Sequence, residues 1–195
     1  MKKKIFFATN NKGKFKEVSE IFTEYEVDYL GNYPDFPEII EDGETYEDNA
    51  KIKAFAVYKK FNVPVIADDS GLGVKQLQGR PGVFSARYAG ENCTYDDNNN
   101  LLLKELENFP LPHPAAFYCC SVYYDGVNYL TEMGELKGEI VKVKSGVHGF
   151  GYDPIFRPEG YDKTLAELPV EDKNKISHRG KSFRELKSEI DKLIK

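Results

Sequence analysis

Residues 4–22 constrain the fold most. Lys4-Ile-Phe-Phe-Ala8 is a short β-like run that stops at the polar loop Thr9-Asn-Asn-Lys-Gly-Lys14. Beyond it Phe15, Val18, Ile21 and Phe22 recur at helical spacing, which predicts a helix over residues 12–24. A strand passing through a polar loop into a helix is how an α/β layer fold begins.

The rest of the chain keeps that alternation. Residues 31–43, rich in Gly, Pro and acids, read as loop. Thr45 with Asp48 three residues on reads as a helix N-cap. Ala50, Ala54, Phe55, Val57 and Tyr58 carry that helix to about residue 61, where Asn62 and Pro64 end it. Val63-Pro-Val-Ile-Ala67 reads as a buried strand running straight into Asp68-Asp69-Ser70-Gly71. Residues 79–94 look like a long ordered loop and 95–108 like a helix. Strands at 115–124 and 127–136 flank Asp125-Gly126, a hairpin signal. Residues 138–143 suggest a third antiparallel strand, 145–162 a Gly-rich loop around a short strand, and 182–194 an amphipathic terminal helix. The expectation is an α/β fold, a central mixed β-sheet flanked by helices, in one domain spanning residues 1–195.

Composition removes several functions. With 27 basic and 32 acidic residues the net charge is −5, a poor surface for nucleic acid. Cys93, Cys119 and Cys120 form no CxxC pair, which argues against a disulfide framework or zinc site and for a reducing cytoplasmic setting. The apolar run after the N-terminal lysines is too short for a signal peptide, and no stretch approaches transmembrane length. Neither nucleic acid nor membrane is an expected partner.

Four constellations carry chemistry. The loop at Thr9, Asn11 and Lys14 opens a helix, where backbone N–H groups and the helix dipole attract an anion; a capping loop would look the same. Asp68 and Asp69 follow a strand, and neighbours on a strand face opposite ways. One can therefore enter a site while the other orients neighbours. Such carboxylates suit Mg²⁺, and one beside a metal can take a proton from an attacking water. Phe150-Gly151-Tyr152-Asp153 can stack on a base and accept a hydrogen bond from it. Lys173, His178 and Arg179 are donors, and Arg forks onto planar oxygen groups.

The order of these blocks resembles the inosine triphosphate pyrophosphatase family, including bacterial dITP/XTP pyrophosphatases. The matching stretches are ATNNKGK (8–14), ETYEDNAKIKA (44–54), IADDSGL (66–72), GRPGVFSARYAGE (79–91), GFGYDPIF (149–156) and NKISHRGKSF (174–183). The resemblance implies a pocket between two lobes, a homodimer, Mg²⁺, and cleavage of ITP, dITP or XTP to a monophosphate and pyrophosphate. It makes Thr9, Asn11, Lys14 and Lys53 phosphate-binding, Asp69 the catalytic acid that holds metal, and Ser70 a substrate contact. Phe150, Gly151, Tyr152, Asp153, Lys173, His178 and Arg179 become the base-recognition set. The second metal carboxylate falls in the loop at 35–44, with Glu38 the first match and Glu41 its competitor. A sensor that grips a triphosphate without cleaving it is the rival reading. The adjacent Asp68 and Asp69 argue against it, because two like charges beside a polyphosphate are costly unless a metal is used.

Overall fold

The N-terminal run forms β1 (Lys3–Phe7), and its successive side chains enter two different cores. Ile5 and Phe7 pack with Val18, Phe22, Phe183 and Leu186, whereas Phe6 and Ala8 pack with Ala50, Ala54 and Val57. Ile66 and Cys119 follow the first pair; Val65, Ala67 and Cys120 follow the second. Strands that are apolar on both faces must be covered on both faces.

The computed structural model describes residues 2–194. After β1 come α1 (Lys12–Ser19), β2 (Tyr25–Tyr29), α2 (Tyr46–Phe61), β3 (Val65–Val74), α3 (Tyr95–Leu106), β4 (Pro114–Tyr124), β5 (Tyr129–Ile140), β6 (Phe156–Pro158), α4 (Val170–Ile176) and α5 (His178–Leu193). The strands form a six-stranded sheet in the order β2-β1-β3-β4-β5-β6. β1 pairs in parallel with β2 and β3, while β5 and β6 are antiparallel, so the sheet is mixed as expected.

The chain groups into two compact units. The first runs to Asp69 and adds Cys119–Gly134 and everything from His178 on; the second holds Ser70–Tyr118 and Glu135–Ser177. In the first unit α1 and α5 cover one face of the strands and α2 the other. The second unit has its own core, built on Leu72, Leu102, Phe117, Ile140, Ile155 and Phe156. Among the described residues no helix is long and apolar enough to cross a membrane, and Cys93, Cys119 and Cys120 are free thiols.

Four boundaries differ from the sequence expectation. The helix over 12–24 stops at Ser19, and Phe22 reaches the core from the following turn. The strand at 63–67 continues through the aspartates to Val74, because cations on both faces of β3 receive the carboxylates. Residues 138–143 are not a separate strand: β5 runs on through Gly138 to Ile140, and the third antiparallel strand is β6, with Gly138 opposite Pro158. Gly138, which reads as a break, is a point of close approach, since a Cβ there would run into the carbonyl oxygen of Arg157. The last helix begins at His178 rather than 182.

The cap at Thr45 is a complete capping box. Thr45 Oγ1 accepts the Asp48 N–H at 3.1 Å, and Asp48 Oδ2 accepts the Thr45 N–H at 3.2 Å. Asp thus serves here where Glu or Gln is usual. Thr45→Ala is expected to cost about 1 kcal/mol of stability, read from urea unfolding; an unchanged midpoint would show that the cap contributes nothing to the fold.

Candidate active site

The site is best built outward from β3. Asp68 continues the side of Ile66 and Asp69 the side of Ala67, so the two carboxylates leave the strand on opposite faces.

Asp69 points toward α2. Its Oδ2 accepts the Asn49 Nδ2–H at 3.1 Å, and its Oδ1 lies 3.8 Å from the ammonium of Lys53. Lys53 in turn donates to Glu41 Oε2 at 2.6 Å, so one buried ammonium links two carboxylates. Burial pushes the Asp69 carboxyl above its ordinary value, with Lys53 and Lys14 pulling against that and Glu41 adding to it. Burial works against the Lys53 ammonium as well, but Asp69, Glu41 and Asp68 outweigh it and keep Lys53 charged.

Asp68 points toward α1 and α5. Its Oδ2 accepts from Lys14 Nζ at 2.9 Å and from Arg179 Nε at 3.2 Å. Arg179 NH1 donates to Glu17 Oε2 at 2.8 Å, with both side chains buried. Burial alone would raise the Asp68 carboxyl; Lys14, Arg179 and Lys53 overcome that and hold it well below the usual carboxylate range. A depressed carboxyl contributes its stability in full above the unfolded value of 3.8 and loses it as pH falls through the folded value. Thermal stability should therefore fall steeply on the acid side in the parent and less steeply in Asp68→Asn. Equal slopes would contradict the depressed carboxyl.

The first loop is locked by its own side chains. Thr9 Oγ1 accepts the Asn11 N–H at 3.1 Å, and Asn11 Oδ1 caps α1 by accepting the Lys14 N–H at 3.0 Å. The capping reading and the anion-loop reading describe the same structure, because a cap that stiffens the turn also fixes where the first N–H groups of α1 point.

In the second unit the loop at 149–153 is organised around Asp153. Its Oδ2 accepts the Phe150 N–H at 2.8 Å and the Lys173 ammonium at 2.6 Å. That ammonium stands 4.6 Å from the Phe150 ring centroid, a cation–π contact on a half-buried ring. Tyr152 lies in the core and donates its hydroxyl to the carbonyl of Ser85 at 2.9 Å. Ser70 is half-buried on β3.

A model of the Ham1 family matches residues 5–189 of the chain. The chain belongs to the Ham1 family. Among Ham1 relatives, the dITP/XTP pyrophosphatase of Geobacter sulfurreducens is 43% identical over 191 residues, covering 96% of each chain. That of Flavobacterium johnsoniae is 45% identical over 184 residues, covering 94% of this chain and 95% of the relative. Of solved structures, the Ham1 protein of Staphylococcus aureus superposes with a TM-score of 0.87 at 41% identity, covering 97% and 98% of the two chains. A nucleoside-triphosphatase / dITP/XTP pyrophosphatase from Mycobacterium abscessus gives 0.75 at 37% identity, covering 94% and 97%.

Set in a Ham1 chain, the expected residues fall into three groups. Thr9, Asn11, Lys14, Lys53 and Asp69 gather in the first unit; Phe150, Gly151, Asp153 and Lys173 gather in the second. Arg179 and His178 sit in the first turn of α5, both buried, and the Arg179 guanidinium holds Asp68 and Glu17. Glu38 is the first match for the second carboxylate and Glu41 its competitor. It is exposed and makes no hydrogen bond or ion pair among the described residues, whereas Glu41 reaches Lys53 beside Asp69. Glu38 precedes two isoleucines in an exposed stretch and carries no sequence mark that separates it from Glu41. Asn49 and Glu17 went unread. Asn49 and Lys53, four residues apart, share one side of α2, and that spacing next to a strand carboxylate is the signal that finds Asn49.

The donor set fits a hard cation. Asp69 and Glu41 present carboxylate oxygens on the α2 side of β3. No group of three or more His, Cys, Asp or Glu forms a closed cage among the described residues. Mg²⁺ is commonly held by one or two carboxylates, with waters and substrate phosphates filling the rest.

Proposed function

We propose that this chain hydrolyses deaminated purine nucleoside triphosphates (ITP, dITP and XTP) to the monophosphate and pyrophosphate, and so cleanses the nucleotide pool. One observation carries the reading: a buried, upward-shifted carboxylate, Asp69, fixed by Asn49 and flanked by Lys53 and Glu41. It stands in a chain 43% identical to a protein named dITP/XTP pyrophosphatase.

Asp69 accepts a proton from the attacking water. A carboxyl raised by burial is a better base than an exposed one. Lys14 and Lys53 supply charge for the phosphates, and the amides of the Thr9–Lys14 loop supply N–H donors. Asp69 and Glu41 would hold Mg²⁺, which when bound neutralises phosphate charge at the bond being broken. Phe150 offers a ring face to the base, and the Lys173 ammonium beside that ring offers donors to a 6-oxo group. Adenine would bring its 6-amino donor against those donors, a mismatch able to reject an analogue by up to ~10⁴-fold. The Arg179 guanidinium, expected at the base, is engaged by Asp68 and Glu17. The same family reading makes the protein a cytoplasmic homodimer; light scattering tests the oligomeric part, and a monomer at micromolar concentration would overturn it.

Initial rates on ITP, XTP, GTP and ATP, compared in parallel with Mg²⁺, test the substrate class. Fast ITP and XTP turnover with ATP nearly untouched is expected, and the GTP rate reads whether a 2-amino group is also excluded. Equal rates on all four would remove the proposed discrimination, and binding without turnover would favour the sensor.

A further inference from the structure

α3 carries three consecutive asparagines in its second turn, Asn98, Asn99 and Asn100, which the mechanism above does not use. Each is tied to a different loop of the second unit. Asn98 donates from Nδ2 to the carbonyl of Ala86 at 3.1 Å and accepts the Ala89 N–H on Oδ1 at 2.7 Å. Asn100 accepts the Lys144 ammonium on Oδ1 at 2.7 Å. Asn99 donates from Nδ2 to the carbonyl of Gly151 at 3.0 Å.

The third bond lands inside the aromatic loop. Gly151 stands at φ +65°, the left-handed region that glycine enters without strain, and a Cβ there would meet nothing within 4 Å. The glycine is therefore needed for its backbone shape, and that shape aims its carbonyl at Asn99. The next residue, Tyr152, donates to the carbonyl of Ser85, which lies in the segment that Asn98 holds at residues 86 and 89. α3 thus grips the loop at residue 151 directly and at residue 152 through the Ser85 segment. Phe150 is one residue away from the first grip, with the Lys173 ammonium over its ring.

The orientation of Asn99 is settled by chemistry. A carbonyl partner requires its NH₂ end, since the oxygen end would set acceptor against acceptor. Asn99 is 2% exposed, and its Oδ1 has no hydrogen-bond partner among the described residues. A leucine of similar size would fill the space without burying an acceptor, so the amide is explained by what its donor holds.

We propose that Asn99 is a positioning residue for nucleobase recognition, which fixes the Gly151 carbonyl and thereby the presentation of Phe150. This rests on reading the Phe150–Asp153 loop as the base end of the site.

The test is Asn99→Leu, with Asn99→Asp as the variant that keeps the volume and loses the donor. KM and the equilibrium Kd for ITP are measured, together with the Ki of inorganic tripolyphosphate, which reports the phosphate end alone. KM and Kd for ITP should rise about tenfold, the scale of one lost hydrogen bond, with the tripolyphosphate Ki unchanged. On a Phe150→Ala background, Asn99→Leu should add little, because the ring it aims is gone. An unchanged ITP affinity, or a parallel loss for tripolyphosphate, would overturn the proposal. So would failure of both variants to fold, since Asn99 would then hold the unit together rather than aim one ring. A parent protein that binds ITP without cleaving it would fail the reading of function, while the Kd comparison would still decide the role of Asn99.

Discussion

Asp69→Asn should fold and lower kcat on ITP by about 10²–10⁴-fold, the range for loss of a positioned general base. The amide keeps the size of the carboxylate and can still meet Asn49, so the cavity and α2 stay in place. What it lacks is an acceptor for the water proton and a charge for Lys53, which retains Glu41. KM should change less than kcat, because the phosphate-facing lysines and loop amides are untouched. Steady-state kinetics beside a thermal melt separates the outcomes. A kcat within a few-fold of the parent would exclude Asp69 as the base; a lost fold would show that the carboxylate is structural.

Arg179→Met should destabilise the protein by about 3–5 kcal/mol, the cost of removing one partner from a buried ion pair. Methionine matches much of the side-chain volume, so the effect is electrostatic rather than a cavity. Asp68 would keep Lys14 but lose its second cation, and Glu17 would lose the guanidinium that now faces it. At the 2–4 °C per kcal/mol typical of chains of this size, the melting temperature should fall by roughly 6–20 °C. Asp68 and Glu17 are each expected to favour protonation in the variant, so the deficit should shrink as pH is lowered. A shift under 2 °C, independent of pH, would show that the network does not hold α1 and α5 in place.

The fold was legible where the pattern of side chains is set by burial on both faces. Ile5–Ala8 and Val63–Ala67 are continuous apolar runs, and only a covered strand accommodates them. The Thr45–Asp48 box was legible because capping is local. β5 was broken too early, at residue 137 ahead of Gly138, while the structure uses Gly138 for close packing against β6. β3 was cut short because two adjacent aspartates look like a turn, and the cations that make them tolerable come from α1, α2 and α5, far away in sequence.

The site divides in the same way. Asp69, Lys53 and Asp153 stand in short blocks whose order points to the family. The opposite directions of Asp68 and Asp69 follow from strand geometry alone. The partner of each carboxylate does not: that Arg179 meets Asp68 and Glu17, that Glu41 and not Glu38 reaches Lys53, and that Asn99 holds Gly151 are long-range facts. Tyr152 looked like a base contact in its motif, and the core claims it instead, with its hydroxyl on the Ser85 carbonyl.

The central claim is cleavage between the α- and β-phosphates, and ³¹P NMR of ITP incubated with the enzyme and Mg²⁺ tests it most directly. The account predicts IMP and pyrophosphate signals growing in equal amounts with no orthophosphate. IDP and orthophosphate would contradict it, placing the attack on the terminal phosphate and leaving the Asp69 cluster without its assigned reaction.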